Sequence, residues 1–223
     1  VVVGDVNATL ACSITAKKEH IRCCHIEAGL RSGDMSMPEE INRLVTDRIS
    51  DLLLTPDRIS YKNLLNEGTP ESKIKFVGNI MIDTLEANKE KALSLCYTEI
   101  LSENIIPAND FKLEFFENIK EYGLITMHRP SNVDKKEVFT SLVNWITTEA
   151  SHKIPLIWPI HPRTVKKAQE YKLWKILLDC NNLLLLHPIS YHEMLNLNSN
   201  ARIMLTDSGG LQEECCVLGT PFL

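Results

Sequence analysis

The chain has 223 residues, of which 44% are hydrophobic and 24% charged, with a formal net charge of −5. That suits a globular protein with a real core, one large domain or two ordinary ones. Basic residues are scattered in short runs such as "AKKEH" and "DKKE" that read as solvated faces, which excludes an electrostatic case for nucleic acid or an anionic membrane surface, and no apolar run approaches a membrane span.

The chain opens on "VVVGD", a β-branched strand ending in Gly4-Asp5, without an initiating Met. "NATLACSITAKK" follows as a helix with a cap expected at Asn7. "IRCCHIEAG" is the next strand. "SMPEEINRLVTDRIS" reads as a helix, with Ile41, Leu44, Val45 and Ile49 forming one apolar face. "DLLLTP" is a strand, "DRISYKNLLNEG" a helix closed by Gly68, and "KIKFVGN" a strand. From about Met81 to Lys120 helical and polar segments mix, broken at Pro107 and Asn109, and the domain crossing is expected there. The rhythm resumes with the strand and loop "YGLITMHRP", the helix "KKEVFTSLVNWITTEA" and the strand "IPLIWPIHP". "TVKKAQEYKLWKILL" reads as one helix, then "NLLLLHP" as strand, "SYHEMLNLNSN" as helix, "ARIMLTDSGG" as strand and "LQEECCVLG" as a helix ended by Gly219. "GTPFL" reads as the start of another strand, so sequence is expected beyond both ends.

Strand–helix alternation argues for parallel sheets covered by helices. The expected architecture is α/β with two doubly wound, Rossmann-like domains, residues 1–83 and 84–223. In such sheets ligands bind beyond the carboxyl ends of the strands. Asp5, His25, Glu27, His128, Arg129, His161 and Asp207-Ser208 all fall at those ends. Seven cysteines form no CxxC, and two adjacent pairs are a poor start for disulfides or zinc. Cys12, Cys215 and Cys216 are expected as small core residues, and free thiols point to a reducing cytoplasm.

Each motif has two readings. In "TDSGGLQEE" the helix N-terminus and Gly209-Gly210 suit a phosphate, Ser208 adds a hydroxyl and Glu214 suits vicinal hydroxyls such as a ribose. The alternative is a Ser208 N-cap with a tight turn. No Walker loop or GxGxxG is present. In the early stretch, Ser36-Met-Pro-Glu39 fits a capping box, and Glu39, Arg43 and Asp47 fit a surface ion-pair ladder. If Asp5, Glu27 and Glu39 converge instead, they supply acid and base. "MHRPSNVD" and "PIHPRT" set His128 and His161 beside prolines, as loop hydrogen-bonders or as catalytic groups. No histidine spacing makes a convincing metal site. Trp158 and Trp174 read as core.

Together "GDVNAT", "HIEAGLRS", "MPEEINR", "VGNIMID", "HRPSNVD", "PIHPRT" and "TDSGGLQEE", in this order, resemble the UDP-N-acetylglucosamine 2-epimerases over essentially the whole chain. "HIEAGLRS…PEEINR" resembles the non-hydrolysing branch, which interconverts UDP-GlcNAc and UDP-ManNAc. The hydrolysing branch has a pattern like "HIHGGE". The resemblance implies a GT-B-like fold with the active site in the cleft between its domains. It implies Asp5, Glu27, Glu39 and His128 as catalytic groups. Ser208, Gly209 and Gly210 would hold the diphosphate and Glu214 the ribose. Arg129 and His161 would line the same site or one for a second UDP-GlcNAc, an activator in bacterial members. It further implies elimination and re-addition of UDP through 2-acetamidoglucal, no cofactor or metal, a homodimer and a cytoplasmic location. Met194 stands where several members carry an aromatic near the uracil, with Tyr191 close by. The family's GTRPE-like and TERPE-like motifs are absent from the sequence as given. Rival readings are the hydrolysing enzyme, a non-catalytic nucleotide-sugar binding module, and a GT-B glycosyltransferase.

Overall fold

A computed structural model describes all residues, 1–223. The chain divides into two compact units, Val1–Ile80 and Met81–Leu223, against an expected boundary at residues 83 and 84.

In the first unit, β1 (Val2–Val3), α1 (Asn7–Lys18), β2 (Cys24–Ile26), α2 (Pro38–Ile49), β3 (Leu52–Thr55), α3 (Arg58–Asn66) and β4 (Ile74–Phe76) alternate along the chain. The four strands lie parallel in the order β1-β2-β3-β4. Strands added one after another in the same direction, joined by right-handed crossovers, carry all three helices on one face. Cross-strand register lines up Val2, His25, Leu53 and Ile74, and all four are buried. The remaining core is small, with Ala28 and Leu64 against Leu53 and Ile74. Gly29 is there of necessity. Its φ is +83°, and a Cβ would stand 2.3 Å from the Ser60 carbonyl oxygen.

The second unit begins helically. α4 (Ile80–Leu93), α5 (Tyr97–Asn104), a 3₁₀ segment (Pro107–Lys112) and α6 (Leu113–Glu117) fill the stretch that the sequence pattern left mixed. β5 (Gly123–Thr126) leads to the short α7 (Pro130–Val133) and to α8 (Lys136–Trp145), which runs through a π-helical turn into α9 (Ser151–Lys153). Then come β6 (Leu156–Pro159), α10 (Pro162–Glu170), α11 (Trp174–Asp179), β7 (Leu183–Leu186), α12 (Tyr191–Asn200), β8 (Ile203–Thr206) and α13 (Gly209–Leu218). The parallel strand order is β7-β6-β5-β8, so the winding reverses at β5. Alternate strand residues feed two cores. Ile125, Leu156, Trp158, Leu183, Leu185 and Leu205 pack with Phe139, Val143 and Leu177 on one face. Leu124, Ile157, Leu184, Leu186 and Met204 pack with Leu101, Phe116 and Leu197 on the other. A sheet covered on both faces needs strands that are apolar throughout, and "LLLL" of β7 meets that need. Phe222 bridges Met204 in parallel, extending this sheet at the end of the chain.

Several sequence expectations give way. The single helix expected over "TVKKAQEYKLWKILL" is two, because Lys172 takes φ +62° between α10 and α11. Asn7 does not cap α1; Val6 is the N-cap, and the Asn7 side chain instead accepts from Asn42. The Ser36–Glu39 capping box is absent, since Met37 is the N-cap of α2 and the Ser36 hydroxyl bonds Asp34. A true capping box closes α12 instead, between Ser190 and Glu193. Cys215 is buried, but Cys12 and Cys216 are exposed. The largest reversal is in α2. Ile41 and Val45 face solvent, and the buried side is polar: Glu40, Asn42, Thr46 and Asp47. That helix packs through ion pairs.

Candidate functional site

At the carboxyl end of the first unit's sheet, Gly4-Asp5 and Glu27 leave the adjacent strands β1 and β2. Both turns use left-handed backbone, Gly4 at φ +65° and Glu27 at φ +68°. For a glutamate that conformation is strained and is held by its surroundings. The Glu27 Oε2 lies 3.5 Å from where a Cβ on Gly4 would sit, which brings the two turns together.

Asp5 is gripped by α2. Arg43 donates from Nε (3.0 Å) and from a terminal nitrogen (2.6 Å) to Asp5 Oδ2, and from its other nitrogen to Glu40 Oε2 (2.6 Å). Asn42 donates to the Asp5 carbonyl oxygen. Glu40 is nearly buried, and burial alone would raise its pKa. The amides of Ser32 and Gly33 and the Arg43 guanidinium outweigh that and hold it down to about 2. Glu39 is exposed on the first turn of α2 with no hydrogen bond or ion pair. It shares a helix face with Arg43, four residues on, and so stands on the side of α2 that reaches Asp5. The ladder of Glu39, Arg43 and Asp47 does not form. Arg43 takes Asp5 and Glu40, and Asp47 takes His25 and Arg31.

The second unit gathers its groups at the point where winding reverses, between β5 and β8, where open α/β sheets leave a crevice. Asp207, after β8, accepts the amides of His128 and Arg129 and the side chain of Asn132, fixing the loop after β5. His128 Nδ1 lies 3.4 Å from Asp207 Oδ1. The His128 and His161 rings stand 5.6 Å apart, and His161 caps α10 by accepting the Arg163 amide. Over the start of α13 only the tips of two flexible side chains come near. The nearest atom to a Cβ built on Gly209 is an Arg129 guanidinium nitrogen at 3.8 Å, and on Gly210 it is the Met81 methyl at 3.9 Å. Ser208 holds the N-cap position without a side-chain capping bond. Glu214 is buried, its pKa raised by desolvation against the opposing effect of the Tyr191 hydroxyl, and its Oε2 has no hydrogen-bond partner. A buried carboxylate oxygen left unsatisfied is costly and marks a position where a hydroxyl donor fits. The N-terminus of α13, the Arg129 guanidinium beside it and the unpartnered Glu214 oxygen are groups of the kind that bind anions and hydroxyls.

No group of three or more His, Cys, Asp or Glu side chains is arranged to hold a metal ion. Sequence reasoning reads Arg43 and Asp47 as rungs of a surface ladder and gives Glu40 and Arg31 no role, whereas the four organise the first unit's strand ends.

Two parallel sheets with polar side chains gathered beyond their carboxyl ends define a Rossmann-like α/β protein. The chain belongs to the UDP-N-acetylglucosamine 2-epimerase family, which it matches over residues 1–223. It is 41% identical to the UDP-N-acetylglucosamine 2-epimerase of Methanocaldococcus jannaschii, over 99% of this chain and 58% of that protein. It is 36% identical to the UDP-2,3-diacetamido-2,3-dideoxy-D-glucuronate 2-epimerase of Pseudomonas aeruginosa, over 99% of this chain and 56% of that one. The crystal structure of the M. jannaschii enzyme in complex with UDP-GlcNAc and UDP matches with a TM-score of 0.81 at 39% identity, covering 99% of this chain and 57% of that one. The expected GT-B-like fold class is the class of these structures. The chain spans about half the length of the curated relatives it matches. No helix is long and apolar enough to cross a membrane.

Proposed function

We propose that this chain is the part of a non-hydrolysing UDP-GlcNAc 2-epimerase that carries the acid–base carboxylates and the nucleotide socket. The observation that carries this reading is the paired presentation of Asp5 and Glu27 on left-handed turns of neighbouring strands, the second of them strained, with Asp5 clamped by Arg43. A surface ion pair has no use for such constraint; a proton-transfer site does.

In the second unit, Ser208, Gly209, Gly210 and Arg129 hold the diphosphate, Glu214 accepts from the ribose, and His128 and His161 line the same crevice. The C1–O bond breaks and UDP departs as a base takes the C2 proton, leaving 2-acetamidoglucal. Carboxylates stabilise the positive character that builds at C1. UDP then re-adds at C1 while an acid delivers a proton to the opposite face of C2. The reaction is redox-neutral and needs two proton-transfer groups, drawn from Asp5, Glu27, Glu39 and His128. The reading includes a homodimer and a second UDP-GlcNAc as activator, which light scattering and substrate-dependence curves measure.

The test is incubation of the full-length protein with UDP-GlcNAc in D₂O, followed by proton NMR. The expected result is UDP-ManNAc at equilibrium with UDP-GlcNAc and deuterium at C2 of both. Stoichiometric free ManNAc and UDP would establish the hydrolysing reaction instead. UDP binding without turnover would reduce the protein to a binding module.

A further inference from the structure

The row Val2, His25, Leu53, Ile74 is the central buried row of the first sheet, and its second member breaks the pattern. An imidazole, fully buried, stands where an aliphatic side chain belongs. Breaks of that kind concentrate at functional sites. His25 Nε2 lies 2.9 Å from the Gly4 carbonyl oxygen, and Nδ1 lies 2.6 Å from Asp47 Oδ1. A carbonyl only accepts, so Nε2 donates to Gly4. The short Nδ1–Oδ1 line contains one hydrogen, whichever atom carries it. Asp47 is itself buried, and its Oδ2 accepts from the Gly29 amide (3.0 Å) and from Arg31 (2.8 Å). One carboxylate on α2 is therefore tied through His25 to the turn that presents Asp5, and directly to the turn that follows Glu27.

We infer that His25 and Asp47 form a positioning relay that fixes both carboxylate-bearing turns, with the His25-to-Gly4 hydrogen bond setting the orientation of Asp5. Neither residue touches the reacting atoms. The inference rests on the proposed epimerisation for its kinetic consequence, but not for its hydrogen-bond geometry. Misplacing a catalytic group by about 1 Å costs on the order of 10²-fold in rate.

The experiment compares His25→Gln and His25→Asn in the full-length protein. A Gln amide takes the place of Nε2 and keeps a donor toward Gly4; an Asn amide takes the place of Nδ1 and does not. The expected result is a kcat about 10²-fold below wild type for H25N and largely restored toward wild type in H25Q, which keeps the Gly4 donor but loses the Asp47 bond, with KM and UDP affinity unchanged in both. Equal kcat for the two variants, or losses that track their thermal melting rather than the Gly4 donor, would overturn it. NMR of the wild-type protein with ¹⁵N-labelled histidine supplies the arm that does not depend on activity or on variants that fold. A hydrogen on Nε2 together with a far-downfield proton lost in Asp47→Asn is expected. A hydrogen-free Nε2 sinks the relay whatever the kinetics. A wild-type protein that does not epimerise UDP-GlcNAc but shows both signals defeats the proposed function and leaves the relay standing.

Discussion

The strand ends of the two units are prepared in opposite ways. In the first, the charged groups other than Glu39 are already bonded: Asp5 to Arg43, Glu40 to Arg43 and two amides, Asp47 to His25, Gly29 and Arg31. In the second, Asp207 and His161 are bonded, but the groups around α13 keep unmet capacity. Glu214 Oε2 has no partner, Ser208 forms no side-chain cap, and only the far ends of Arg129 and Met81 side chains come near the glycines of α13. A site that must aim proton-transfer groups needs them fixed before substrate arrives. A site that must hold a ligand needs unmet donors and acceptors, and it carries their cost until the ligand comes. Substitutions should therefore divide by unit, rate and fold in the first and, His128 apart, affinity in the second.

The largest effects are expected from the carboxylates. Asp5→Asn and Glu27→Gln in the full-length protein should each lower kcat about 10²–10⁴-fold while UDP affinity holds. Glu39→Gln belongs with them if Glu39 acts on the sugar; a wild-type rate would make it a surface residue, since it has no structural bond to lose. Loss of UDP affinity in the Asp5 or Glu27 variants would break the division outright.

Next in size is Gly29→Ala. With φ at +83° and Ser60 backbone 2.3 Å from the new Cβ, α3 must move away from β2, at a cost of about 3–5 kcal/mol. Calorimetry or chemical denaturation of the full-length variant measures it. Glu40→Gln should cost about 2 kcal/mol, and the effect should depend on pH. The folded pKa of about 2 lies below the ordinary 4.5, so the carboxylate's contribution is complete above about 4.5 and fades as pH falls toward 2. The variant should lose stability at neutral pH and converge with wild type near pH 2. A constant difference across that range would mean Glu40 acts by packing alone.

The sequence carried the element order because hydrophobic period and turn residues are local signals, and nearly every strand fell where its β-branched or leucine run predicted. It also placed the site residues at strand ends, since a parallel α/β pattern dictates where those ends point. It failed on α2 for a physical reason. A period of 3.6 in Ile41, Leu44, Val45 and Ile49 defines an apolar face, but the opposite face presents Glu40, Asn42, Arg43, Thr46 and Asp47 with the same period. Which side is buried depended on His25 and Asp5, partners distant in sequence. Pairing at that distance leaves no trace in a periodicity. The break between α10 and α11 was missed for a related reason, because a left-handed lysine at 172 carries no compositional signal.

In the second unit Glu214→Gln should weaken UDP binding about 10–100-fold, the range for one hydrogen bond to a charged group. It should leave the ligand-free protein as stable or more so, because the carboxylate is buried with one oxygen unsatisfied. Opposite signs for affinity and stability in one variant would be a sharp mark of a socket.

The smallest effect separates two readings of Ser208 that the sequence left level. As an N-cap its loss to alanine would cost about 1 kcal/mol of stability. As a ligand group it would cost affinity and leave stability alone. The structure gives the hydroxyl no capping bond, and the amide of Ser208 is satisfied by Thr206 Oγ1, a contact that alanine keeps. Ser208→Ala should therefore leave the melting temperature of the ligand-free protein in place and weaken UDP about 10-fold, the low end for one hydrogen bond to a charged group. Titration calorimetry beside a melting curve distinguishes the two. A lowered melting temperature with unchanged UDP affinity would return Ser208 to the backbone and leave the diphosphate to the helix amides and Arg129.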